Sequence, residues 1–241
     1  MLIENPLISV ILPVFNSEKT LSRCVKSILN QTFNNYELIF VYDDDDRKDL
    51  IFIKKILKKI KKKKLIINHK NLGVAKSRNK ALRFCKGSYI AFIDADDIWK
   101  KIKLEFQIKY MKKNKSDFSC TEFDVINEKN KILKFRKVPK QINYQGLIKS
   151  NFIGLSTVVL SRKIYQKIKF PNLRTQEDFA LWLKLLREGV KLFTINKNLS
   201  SWRKTKNSLS SNIFQKLKDA FKLFYLLENK NFILSIFGVM I

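Results

Sequence analysis

The chain has 241 residues, of which 45% are hydrophobic and 12% aromatic, enough to bury one substantial core. A formal charge of +28 favours an anionic partner: a lipid surface, a nucleic acid or a phosphorylated substrate. His69 is the only histidine, which excludes Ser-His-Asp catalysis and multi-histidine metal sites, and Cys24, Cys85 and Cys120 lack paired spacing, which argues against a disulfide framework or a cysteine-rich zinc site. The run Leu7-Ile8-Ser9-Val10-Ile11-Leu12-Pro13-Val14-Phe15 is β-branched and apolar, a buried strand interrupted at Pro13. Since strand-like sequence begins by Leu7, no basic-then-apolar leader is expected. Asn16-Ser17-Glu18 reads as a turn and cap. Leu21, Cys24, Val25, Ile28 and Leu29 then recur at helical spacing over 19–31. A second buried strand over 36–42 ends in Asp43-Asp44-Asp45-Asp46. A lysine-rich helix over 49–62 turns Ile53, Ile56, Leu57 and Ile60 inward, and its lysine block at 58–64 reads as a solvated face. A strand at 65–67, a helix at 75–86 closed by Gly87, and a strand at 89–93 follow.

This alternation implies a parallel sheet with helices on both faces, which binds ligands at the carboxyl ends of its strands. Those ends carry 15–18, 43–46 and Asp94-Ala95-Asp96-Asp97. Such carboxylates offer hard oxygen ligands for Mg²⁺ or Mn²⁺, which can hold a diphosphate. Taken alone, they read equally as an acidic loop or helix cap.

The second half is less regular. A helix is expected at 101–113, strands of a mixed sheet at 118–125 and 131–135, and a Gly154 turn before the apolar run Val158-Val159-Leu160. A helix over 176–187 stops at Gly189, and 192–195 is a short strand. With no internal repeat and no Gly/Ser-rich linker, one domain is expected over 1–205, followed by a basic and apolar helical tail over 206–241. In that tail Ile213, Leu217, Phe221 and Phe224 share a helical face, and 232–241 are largely apolar. Ten residues fall short of the about 20 that span a bilayer, so the tail is expected to pack on the domain or lie in a membrane interface.

Four motifs in order over 7–211 resemble glycosyltransferase family 2, the inverting nucleotide-sugar transferases with a GT-A fold. They are Ser9-Val10-Ile11-Leu12-Pro13-Val14-Phe15-Asn16 with Glu18; Asn71-Leu72-Gly73-Val74-Ala75-Lys76-Ser77-Arg78-Asn79-Lys80-Ala81 running on to Gly87 and Asp94-Ala95-Asp96-Asp97; Glu177-Asp178-Phe179-Ala180-Leu181-Trp182; and Trp202-Arg203-Lys204-Thr205-Lys206-Asn207-Ser208-Leu209-Ser210. The resemblance implies an α/β, Rossmann-like and mainly parallel sheet flanked by helices. Residues 1–100 would form its nucleotide-sugar half, and 101–205 its acceptor and base half. It also implies a UDP-sugar donor and Mn²⁺ or Mg²⁺.

A departing nucleoside diphosphate gathers negative charge that a divalent cation offsets. Inversion needs a base on the opposite face of the sugar. By resemblance Asp96 and Asp94 hold the metal, Asp178 is the base and Glu177 shapes the acceptor site. Pro13, Phe15, Glu18, Asp43, Gly73, Arg78, Asp94 and Lys206 would serve the nucleotide or donor. Several have an ordinary alternative: core packing for Phe15, a helix cap for Glu18 and for the neighbouring Asp97, a helix-surface ion pair for Arg78, and dipole-favoured acids at 177–178.

The chain departs from the family pattern twice. Asp-Asp-Gly-Ser is replaced by Tyr42-Asp43 with no glycine, which leaves open whether Tyr42 or Asp43 faces the base. Thr205, flanked by Lys204 and Lys206, stands where the family often has a histidine, so a lysine would supply the charge.

The acceptor implied by resemblance is a growing lipid-linked glycan in bacterial lipooligosaccharide, O-antigen or capsule synthesis. Charge, tail and unpaired cysteines point to the cytoplasm, at the inner face of an anionic membrane. Two rivals fit less well. A nucleotidyltransferase would bring a Gly/Lys-rich phosphate loop, absent from 12–18, and a nucleic-acid-binding protein would bring a base-stacking motif among its lysines. No nucleic acid is expected.

Overall fold

The computed structural model describes residues 6–58, 60–205 and 213–228. β1 (Ile8–Val14) is buried at every position, the pattern of a strand covered on both faces. It lies between β2 (Tyr36–Tyr42) and β4 (Tyr89–Phe92), with β3 (Lys63–Ile67) outside β2 and all these pairings parallel. The crossovers run through α1 (Glu18–Leu29), α2 (Leu50–Lys58) and α3 (Val74–Leu82). Alternation along β1 sorts the core: Val10, Leu12 and Val14 pack with Leu21, Cys24 and Ile28 of α1, while Ile11 packs with Ala75 and Ala81 of α3. Strand order reverses at β1, which opens a crevice at the carboxyl ends of β1 and β4. At the outer edge, Lys63 and Lys64 of β3 are exposed, a charge pattern that discourages edge-to-edge pairing.

The second half adds β5 (Ile98–Trp99), α4 (Lys103–Lys113), β6 (Phe118–Ile126), β7 (Ile132–Arg136), α5 (Tyr144–Lys149), a 3₁₀ turn (Leu155–Thr157), β8 (Val159–Ser161), α6 (Arg162–Tyr165), α7 (Glu177–Arg187), β9 (Leu192–Arg203) and α8 (Ile213–Lys222). The sheet continues β4-β8-β6-β9-β5, with β7 on β6. Antiparallel β8 joins the parallel half to this mixed half.

Several sequence expectations change. The first strand is not interrupted at Pro13: β1 runs through it, with Pro13 opposite Val41 and Val14 opposite Tyr42. The strand at 192–195 extends to Arg203, because its polar continuation is clasped between β6 and β5 with register shifts opposite 121–123. Helices α5 and α6 are too short to show a periodicity. The described lysines of the 58–64 block are solvated as expected, but not on one helix: α2 ends at Lys58, and Lys63 and Lys64 belong to β3.

Residues 213–228 pack on the domain. Leu223 and Phe224 enter the core beside α7, and the buried Asp219 carboxylate accepts hydrogen bonds from Thr175 N and Oγ1 at 2.9 and 3.0 Å. Glu228 accepts from Tyr144 Oη at 2.5 Å and pairs with Arg187 at 2.9 Å. Lys206 and the apolar run at 232–241 lie outside the described residues.

Gly87 precedes β4 at a place without room for a side chain. A Cβ there would stand 2.6 Å from Ser9 N, 2.6 Å from Tyr89 O and 2.8 Å from Leu7 O, all backbone atoms. Gly87→Ala should destabilise the fold by about 1–3 kcal/mol, read as a lower urea midpoint; an unchanged midpoint contradicts the close packing of β1 on β4.

Candidate active site

The carboxyl ends of β1, β2 and β4, the start of α7 and one flank of α8 enclose a cleft of about 1730 Å³. On one wall the chain turns sharply after β4. Ser156 Oγ accepts from Asp94 N at 3.1 Å and donates to Asp97 Oδ2 at 2.5 Å, while Arg203 N donates to Asp97 Oδ1 at 2.9 Å. Asp97 is thus buried as a brace beneath the turn rather than capping a helix, and β5 follows it. Asp94 and Asp96 line the cleft. On the facing wall Gln176 adopts a left-handed conformation (φ 62°), uncommon for a non-glycine residue. It swings the chain into α7, so that Glu177 and Asp178 occupy the first turn and line the same cleft.

Arg78 of α3 joins the two walls. Its Nη2 donates to Asp94 Oδ1 at 2.6 Å and its Nη1 to Glu177 Oε1; the residue is 2% exposed, and its guanidinium carbon lies 5.5 Å from the Phe170 ring centre. Burial opposes the charge, but Asp94 and Glu177 outweigh it and hold Arg78 above its ordinary pKa. Glu177 is raised by burial, with Arg78 offsetting part of the shift. Asp96 and Asp178 form no ion pair among the described residues. Asp96 is lifted to about 6 by burial and then by Asp94; Asp178, half-buried at the wall, is lifted to about 7 by burial and then by Glu177.

Asp94 and Asp96 fit a hard divalent cation in donor type, and the charge held on Asp96 invites one. Among the described residues no set of three or more His, Cys, Asp or Glu side chains could hold a metal ion. The protein would therefore supply two carboxylates, and substrate phosphate and water the remaining oxygens.

Another part of the cleft is assembled from loop residues. Asp43 Oδ1 accepts from Asn68 Nδ2 at 2.7 Å and Leu72 N at 2.8 Å. Asp43 lines the cleft, whereas Tyr42 is fully buried in the core, so it is Asp43 that faces the cavity. Phe15 is 50% exposed at the cleft and is not core. Pro13 and Gly73 also line it, Gly73 at φ +82° ahead of α3. Glu18, exposed at the start of α1, shares a hydrogen bond with Asp49, which burial and that bond lift to about 6. Thr205 lines the cleft; Lys206 lies outside the described residues.

Sequence reasoning passed over Ser156, Arg203 and the wall made by Arg174, Gln215, Lys218, Asp219 and Lys222. Ser156 and Arg203 carried no signal as bracing groups. Asp219, an acid amid the lysines of an amphipathic helix, was the available hint that α8 docks.

A carboxylate with a raised folded-state pKa stabilises least when ionised. The Asp178 contribution is fully present below about 4 and is lost as pH rises through about 7. Asp178→Asn should therefore unfold at a higher temperature than the parent at pH 8, with the difference closing by pH 4. A lower melting temperature for the variant at pH 8 contradicts a strained carboxylate.

A model of "Glycosyl transferase family 2" matches residues 9–171. The chain is 35% identical over 231 residues to TuaG of Bacillus subtilis (strain 168), named as a teichuronic acid biosynthesis glycosyltransferase, across 94% of this chain and 90% of TuaG. It is 38% identical over 216 residues to the UDP-Glc:alpha-D-GlcNAc-diphosphoundecaprenol beta-1,3-glucosyltransferase WfgD of Escherichia coli, across 89% of this chain and 84% of WfgD. The fold superposes on the crystal structure of S. aureus TarS 1-349 in complex with UDP-GlcNAc with a TM-score of 0.76 at 21% identity, covering 91% of this chain and 65% of the TarS chain.

Proposed function

Because the chain belongs to glycosyl transferase family 2 and has the GT-A fold, we propose that it is an inverting transferase that moves a sugar from a UDP-sugar to a hydroxyl of a lipid-linked glycan in bacterial surface-polysaccharide synthesis. The observation that carries this reading is the Arg78 bridge, which sets the Asp94–Asp96 wall against the Glu177–Asp178 wall across one cleft.

Asp94 and Asp96 would hold Mn²⁺ or Mg²⁺, which when bound supplies Lewis-acid charge to the diphosphate. The chain's own residues do the rest. Phe15 offers an exposed ring to the base, Asp43 a fixed carboxylate, and the glycine at 73 a close backbone approach. Lys206 would add charge at the diphosphate. Glu177 is tied to Arg78 and is poorly placed to take a proton. Asp178 is not, and a group lifted to about 7 is partly ionised at neutral pH. It would accept the acceptor hydroxyl proton as that oxygen bonds to the sugar carbon, while the old C–O bond breaks and its electron pair leaves with the diphosphate.

Among the described residues no helix is long and apolar enough to cross a membrane. Exposed Ile213, Phe214 and Leu217 on α8, and Ile132, Leu133 and Phe135 on β7, lie among lysines. Together with the +28 charge they support a peripheral seat on an anionic membrane at its cytoplasmic face.

UDP release with a panel of UDP-sugars, a polyprenyl-diphosphate-linked acceptor and Mn²⁺ tests the reading. Asp178→Asn should lose about 10²–10⁴-fold in transfer while keeping metal-dependent UDP binding, and the parent's rate should climb with pH through about 7. Asp96→Ala should instead weaken that binding. Near-normal transfer by Asp178→Asn would move the base to another residue.

A further inference from the structure

We propose that Arg174, Lys218 and Lys222 form a cationic seat for the diphosphate of the lipid-linked acceptor, beside the base. The proposal rests on the transferase reading above and specifies how the acceptor is held. All three residues line the cleft, and none forms an ion pair among the described residues. Lys218 and Lys222 are four residues apart on α8, so they share a flank about 6 Å apart along the axis. Arg174 and Lys218 each adjoin one partner of the hydrogen bonds that fasten α8 to the domain: the Asp219 carboxylate accepting from Thr175 N and Oγ1. Asp219 Oδ2 also accepts from Gln215 Nε2 at 2.9 Å, so this oxygen takes three hydrogen bonds within the fold.

Thr175 stands three residues before Asp178, so this fastening joins the cationic wall to the start of α7. Asp94, Asp96, Glu177 and Asp178 line the same cleft and bring negative charge, whereas the wall of Arg174, Lys218 and Lys222 brings positive charge for a phosphate group. In a lipid-linked acceptor the first sugar joins the diphosphate to the reacting hydroxyl. Its two recognition points must therefore neighbour each other in one cleft, as Asp178 and this wall do. The exposed side chains of Phe214 (86%) and Leu217 (41%) on α8 provide apolar surface for the prenyl chain beyond the diphosphate.

Binding of farnesyl diphosphate in detergent to the full chain, with the donor site saturated by UDP and Mn²⁺, tests this without turnover. Farnesyl diphosphate should bind, farnesol should not, and inorganic diphosphate should bind more weakly. Lys218→Gln with Lys222→Gln should lower the affinity on the order of tenfold or more, Arg174→Gln should act in the same direction, and the two Lys→Arg replacements should restore it. No binding by the parent, or equal binding by the Lys→Gln variant, overturns the proposal. So does full competition by phosphatidylglycerol vesicles, which would assign the lysines to bilayer headgroups. Failure of the transferase reading has a separate signature: UDP release absent with every donor while farnesyl diphosphate still binds through these lysines.

Discussion

A single guanidinium fixes the working geometry. Arg78 sits buried between Asp94, 16 positions along the chain, and Glu177, 99 positions along. Burying one cation with two carboxylates is no cheap source of stability, since desolvation cancels much of the attraction. What the arrangement confers is position. It draws the end of β4 and the start of α7 onto one centre and pairs with one acid on each wall. The other acid of each wall stays unpaired, and those two, Asp96 and Asp178, are the carboxylates burial lifts furthest toward neutrality in the cleft.

The bridge works because the sheet has already brought its ends together. Antiparallel β8 lies directly against β4, and the 3₁₀ turn before it delivers Ser156 beneath the Asp94–Asp97 turn. Arg203 at the end of β9 closes the same turn from the other side, through its backbone N–H to Asp97 and its Nε to the Asp96 carbonyl at 2.8 Å. The cleft therefore belongs to both halves. One contributes the cleft-lining loops after β1, β2 and β4; the other contributes the bracing groups Ser156 and Arg203 and the acids at 177–178. Residues 213–228 add a third contributor, fastened by Asp219 to the loop that leads into α7.

Much of this was legible in the sequence, for identifiable reasons. Apolar runs marked the parallel strands, most clearly β1, β2 and β4, because strands covered on both faces must be largely apolar; the runs of β2 and β4 end in Asp. The acid pairs at 94–96 and 177–178 stood out through motif order. Nothing local disclosed that Arg78 would face both, since its partners are distant in the chain. The extent of β9 was hidden because Asn196 to Arg203 is polar, and its strand character comes from pairing with β6 and β5 rather than from its own composition. Tyr42 and Asp43 were left open by the missing glycine; the fold buries the Tyr42 ring in the core and sets the Asp43 carboxylate at the cavity. The role of α8 as a wall was concealed by its amphipathic pattern, which fits a membrane seat and a docked helix equally well.

The most direct measurement of the central claim is the anomalous scattering of Mn²⁺ in crystals grown with UDP. The account predicts one strong peak between the Asp94 and Asp96 carboxylates, with the β-phosphate beside it and Asp178 across the same cavity. A peak at the acidic loop over 43–46, or UDP bound away from the Asp94–Asp178 cleft, would contradict it.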